Sequence, residues 1–143
     1  MQELSKSIWF PNHDESNKDG LIAVGGDLSV ERLMHAYHLG IFPWFNEGQP
    51  LFWWSPDPRM ILLPESFKVS KSLKKTILSN KYKITLNTSF EEVINCCSKI
   101  KRKGQQGTWI TNNMITAYLQ LHKKGYAQSI EVWSDNQLIG GLY

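Results

Sequence analysis

The nineteen residues from Ile41 to Arg59, IFPWFNEGQPLFWWSPDPR, restrict the folding of this chain more than any other stretch. They hold three of the six tryptophans, three phenylalanines and four of the six prolines. Each proline fixes φ and withholds a backbone donor, so the segment is expected to be a stiff, irregular loop presenting rings, not a helix or a central strand. A rigid loop that holds large flat side chains is suited to stacking a flat ligand.

The rest of the chain has the make-up of a folded domain. With 143 residues, 41% of them apolar and 20% charged, it is about one domain's worth and can bury a core. No run of about 18 apolar residues occurs, and the start MQELSKSIWF lacks a basic stretch followed by an apolar one, so a cytoplasmic protein with no membrane partner is expected. Cys96 and Cys97 are adjacent and have no second pair or histidine cluster, which argues against a disulfide framework or a metal site. His13, His35, His38 and His122 suggest no catalytic triad, there being no GxSxG motif.

In chain order, a polar arm carrying Trp9 and Phe10 is expected to dock by that aromatic pair. LIAVGGDLS, Leu21 to Ser29, gives a short apolar run and a tight turn into a helix that Ser29 caps and Gly40 ends. Beyond the aromatic loop, Met60 to Leu63 reads as a short strand. Ser70 to Leu78 reads as a helix with Leu73 and Ile77 inward and its lysines outward. Tyr82 to Leu86 alternates as a half-buried strand should, and Ser89 and Glu92 form a capping box for the next helix. A basic turn from Lys101 to Gly107 leads to TWIT and a helix from about Asn112 to Lys124, and SIEVW, SDNQ and LIGGLY read as a β-hairpin. The order is that of an α+β fold. An apolar strand from Leu138 to Tyr143 with nothing after it leads us to expect an N-terminal piece of a longer protein.

Charge is unevenly placed. Between Pro64 and Lys83 there are six lysines against one acid, whereas the first 35 residues hold six acids against three bases. An anionic partner for the middle of the chain is implied, with Lys99, Lys101, Arg102 and Lys103 as a second cluster.

GLIAVGGDLS (Gly20 to Ser29), GIFPWF and WWSPDPR (between Gly40 and Arg59), GTWIT (Gly107 to Thr111) and SIEVW through GGLY (Ser129 to Tyr143) together resemble the bacterial leucyl/phenylalanyl-tRNA-protein transferases. The resemblance implies an enzyme that moves leucine, or phenylalanine, from aminoacyl-tRNA to a protein beginning with arginine or lysine, in the N-degron route of degradation. It implies a small N-terminal domain (1–63), a basic connecting helix (64–81) and the opening of a GNAT (acetyltransferase-like) domain (82–143). No cofactor is implied, since an aminoacyl ester is already activated and needs mainly orientation and proton removal. Catalytic residues are expected beyond Tyr143, and the 143-residue chain is expected to be inactive alone.

Trp44 and Trp109 match the family's tryptophans at the tRNA's terminal adenosine, a role suited to an indole because stacking on a base needs no base pairing. Tyr37, Trp54 and Glu131 are further pocket candidates, while Trp53 and Trp133 are read as core. Asp57 and Arg59 are expected to pair with each other or with turn amides. Lys71, Lys74, Lys75, Lys81 and Lys83 match a basic region that meets the tRNA acceptor stem, where phosphate contacts are sequence-independent. Two other readings stand beside this one: a non-catalytic RNA-binding module, and an aromatic groove for proline-rich peptides or sugars.

Overall fold

The structure, a computed structural model, describes residues 2–100 and 107–143. Two small sheets carry the fold. In the first, of order β1-β2-β4-β3, β1 (Gln2–Leu4) runs parallel to β2 (Leu21–Gly25), and β4 (Phe52–Trp54) is antiparallel to both β2 and β3 (Phe42–Pro43). The helix α1 (Val30–His38) follows β2, capped by Ser29, whose hydroxyl accepts the Arg32 N–H at 3.3 Å. Leu33 and Ala36 on one face of α1 pack with Ile22, Ala23, Ile41 and Trp53 in the core of this sheet. The arm docks as expected, with Phe10 edge-on to Trp53 at 4.8 Å.

The second sheet has the order β5-β6-β7, all antiparallel, from Lys83–Leu86, Ile130–Ser134 and Gln137–Leu142. Helix α3 (Phe90–Lys99) lies on one face, so close that a Cβ on Gly141 would come within 2.7 Å of Val93 Cγ2, and α4 (Asn112–Lys123) packs against α3. α4 belongs to both cores. Its Ala117 and Leu121 pack under the first sheet, while Ile115 and Leu119 pack against Phe90, Ile94 and Ile110. Among the described residues no helix is long and apolar enough to cross a membrane, and no group of three or more His, Cys, Asp or Glu could hold a metal.

Several sequence expectations are corrected. The aromatic segment is not all irregular loop, because β4 sits inside the first sheet, paired on both sides. Its prolines permit this by lying elsewhere: Pro43 is on the edge strand β3, and Pro50 and Pro56 flank β4. Met60 to Leu63 forms no strand and is exposed, Met60 to 97%. The helix α2 (Lys71–Leu78) forms under its Ser70 cap, but Leu73 and Ile77 face solvent and no residue of the helix is buried. In β5 the alternation runs the other way from a buried apolar face. Ile84 is 61% exposed, and the hydroxyl of Thr85 points inward to Glu131 at 2.5 Å.

Two local motifs also differ. Ser89 makes no side-chain cap bond, because the Glu131 carboxylate takes the Ser89 N–H at 3.3 Å and the serine hydroxyl turns to Glu92. Arg59 binds neither Asp57 nor a turn amide. It donates to the Gly40 carbonyl at 2.5 Å and lies 4.9 Å over the Phe42 ring, joining the two ends of the aromatic segment. The expected basic turn and the cluster at Lys101, Arg102 and Lys103 lie outside the described residues.

Candidate functional site

Gly40 ends α1 with a φ of +73°, so the chain leaves the helix directly into the aromatic segment and Tyr37 stands one turn before it. The hydroxyl of Tyr37 is hydrogen-bonded to that of Tyr118 on α4, tying the first half of the chain to the second. Around this pair is a cavity of about 610 Å³ whose wall includes Met34, Trp109, Leu121, Tyr126 and Tyr143. That volume suits a small ligand, and the wall is largely aromatic and aliphatic.

Burial pushes the Tyr118 phenol well above its ordinary range, and the neighbouring Tyr37 and Tyr143 push it further. Burial also raises Tyr37, against a smaller opposing effect of its bond to Tyr118. Both hydroxyls therefore stay protonated at neutral pH and can orient a polar group by donating or accepting a hydrogen bond. Among the described residues, the cavity wall carries no carboxylate or imidazole. Its tyrosine hydroxyls and apolar wall can hold and orient a ligand.

Trp109 is half-buried in this wall, packed on the cluster of Phe90, Ile94 and Ile110, and it reaches the site because the Thr111 hydroxyl caps α4 immediately after it. Trp44 stands apart from the cavity lining, 52% exposed at the end of β3. Its backbone is held twice, its N–H donating to the Phe52 carbonyl at 3.0 Å and its carbonyl accepting the Trp54 indole N–H at 2.7 Å. The Trp44 and Trp54 rings are tilted against each other at 6.3 Å. Trp53 is sealed in the core, as read from the sequence, with its indole N–H on the Gly25 carbonyl at 3.0 Å.

Glu131 faces away from the cavity, fully buried, and collects hydrogen bonds from Ser129 at 2.5 Å, Thr85 at 2.5 Å, Thr88 at 2.9 Å and the Ser89 N–H. Burial alone would raise its pKa, but these donors more than offset that and hold it at about 2. The candidate lysines divide into two places. Lys71, Lys74 and Lys75 lie along exposed α2, whereas Lys81 and Lys83 wall a polar cleft beside Trp133.

Comparison with known sequences decides the family. A sequence model described as leucyl/phenylalanyl-tRNA protein transferase matches residues 61–143, and one for the N-terminal domain of the same proteins matches residues 26–57. The chain belongs to the leucyl/phenylalanyl-tRNA protein transferase family. Named leucyl/phenylalanyl-tRNA–protein transferases from Flavobacterium johnsoniae and Pseudoalteromonas atlantica are 53% and 54% identical to it, over 100% and 99% of this chain and 68% and 61% of their own lengths. A third, from Desulfatibacillum aliphaticivorans, is 50% identical over 98% of this chain and 60% of its own length. Within this transferase family the N-terminal match runs from the glycine turn through the aromatic segment, and the longer match takes in the second sheet and both of its helices. The cavity described above is shared between these two matched parts, with Tyr37 from one and Tyr118 from the other.

Of the sequence candidates, the structure brings Tyr37 and Trp109 together and leaves Trp44, Trp54 and Glu131 outside the wall. Sequence reading passed over Tyr118, Tyr126 and Tyr143 as site residues. Tyr118 lies in the apolar stripe of its helix, and only the placement of α4 between the two cores turns its hydroxyl to Tyr37.

Proposed function

We propose that this chain binds the 3′ end of leucyl- or phenylalanyl-tRNA in the transfer of the amino acid to a protein beginning with arginine or lysine, as a step of N-degron degradation. The observation that carries the reading is the cavity of about 610 Å³ between α1 and α4, in a chain of this family. Its apolar wall suits a leucine or phenylalanine side chain, and the tyrosine hydroxyls suit an ester or a ribose. Trp109 in the wall and exposed Trp44 offer stacking faces for the terminal adenine, each worth about 1–3 kcal/mol. The α2 lysines are free to follow phosphates, in keeping with a partner recognised by backbone charge.

Transfer orients an amine on an activated ester and removes a proton. Tyr37 and Tyr118 stay protonated and Glu131 is sealed away, so we further propose that the 143 residues bind charged tRNA without turning it over. Filter binding of leucyl-tRNA, with transfer to an Arg-starting peptide followed in parallel, tests both parts. Trp109→Ala should weaken binding about tenfold or more, and affinity should fall steeply with salt. Binding insensitive to Trp109 would remove the cavity from the reading, and robust turnover by the chain alone would refute the second part. The exposed lysines of α2 fit one other reading as well, a non-catalytic RNA-binding module, which would be indifferent to the aminoacyl group.

A further inference from the structure

At the opposite end of β6 from the tyrosine cavity is a second cleft, of about 510 Å³, between the start of β5 and the β6–β7 turn. Its wall is of a different kind. Trp133 and Tyr82 contribute half-buried rings, Lys81 and Lys83 contribute exposed ammonium groups, and Asn80, Asp135 and Asn136 contribute amides and a carboxylate at the rim. The Lys81 ammonium lies 5.3 Å over the Tyr82 ring.

Trp133 is fixed from behind. Its indole N–H donates to the Thr85 hydroxyl at 2.8 Å, and that hydroxyl donates to Glu131 at 2.5 Å. Glu131 is 0% exposed and is also bound by Ser129 and Thr88, so the relay ends on a carboxylate that cannot move to solvent. The indole N–H is thereby spent inside the protein, and what the ring offers the cleft is its surface. A locked aromatic surface needs little ordering on binding, which favours a flat ligand.

We propose that this cleft binds one unpaired nucleotide, with its base on Trp133 and its phosphate between Lys81 and Lys83. Stacking uses the ring face, and two lysines on one side supply the cationic end that a phosphate needs. The Asp135 carboxylate keeps the phosphate to the lysine side, and with the two asparagine amides it offers acceptors and donors to a base edge. Lys81 and Lys83 thus act apart from the lysines of α2. The shared chemistry is a nucleoside monophosphate unit, free or within the single-stranded end of a tRNA. Only the second source rests on the tRNA reading above.

The test is fluorine NMR of the whole chain carrying fluorotryptophan, with the Trp133 signal assigned through Trp133→Phe. Cytidine monophosphate and deacylated tRNA are titrated separately. The Trp133 signal should move with cytidine monophosphate. The double variant Lys81→Ala, Lys83→Ala, both at exposed positions, should weaken that response about tenfold or more. Met60→Ser, at an exposed position outside both cavities, should leave it unchanged. Movement with tRNA as well supports a nucleotide of the tRNA as occupant, and movement with the mononucleotide alone supports a free nucleotide while leaving the tyrosine cavity to be judged by its own binding assay. A Trp133 signal that stays still at millimolar cytidine monophosphate, or one that moves equally after both lysines are removed, overturns the proposal.

Discussion

The two sheets bury opposite kinds of side chain. The first is closed by α1 and α4 over Ile22, Leu33, Ile41 and Trp53, all nearly inaccessible to water. The second turns Thr85 and Glu131 toward its helices and leaves Ile84, Leu86, Ile130 and Leu142 on its other side, each at least 44% exposed. Apolar burial holds one sheet and a hydrogen-bonded carboxylate organises the other. The difference shows that alternation in a strand indicates two faces without saying which one is inside.

The contrast can be broken most strongly at Trp53. Trp53→Ala should cost about 3–5 kcal/mol in urea unfolding, through the lost transfer energy and the cavity left behind. Glu131→Gln comes next, at about 3 kcal/mol, because it removes the charge that three hydroxyls and the Ser89 N–H converge on. A cost below about 1 kcal/mol, the level of one neutral hydrogen bond, would show that the second sheet does not depend on its carboxylate.

The same group sets an acid limit. Its pKa is lowered on folding from 4.5 to about 2, so the folded state binds this proton less readily than the unfolded chain. The stabilisation is therefore fully present above 4.5 and is lost as pH falls toward 2. Wild type should lose stability across that window while Glu131→Gln loses less, measured by circular dichroism. The smallest effect belongs to the open face, where Ile84→Ser should change stability by no more than about 0.5 kcal/mol. A larger loss would mean that this face is covered in solution.

The elements were largely legible in the sequence because their boundaries carry local chemistry. Ser29, Ser70 and Thr111 each cap a helix with a hydroxyl, and Gly40 and Gly125 end helices with positive φ. What could not be read was set by partners distant in the chain. β4 is central because β2, nearly thirty residues earlier, pairs with one side of it while β3 pairs with the other, and Ser89 lost its expected capping box to a carboxylate 42 residues away. Leu73 and Ile77 have helical spacing, yet among the described residues nothing buries them. The site was half legible. Trp109 and Tyr37 were marked by motif and position, whereas Tyr118 gained its meaning only from a hydroxyl 81 residues earlier.

The cavity bridged by Tyr37 and Tyr118 is proposed to receive an amino acid still joined to its tRNA. Equilibrium binding of leucyl-tRNA and of the same tRNA deacylated, at one salt concentration, tests this most directly. The charged form should bind more tightly, with the difference lost in Tyr118→Ala and retained in Lys74→Ala. Equal affinity for the two forms in the wild-type chain would contradict it.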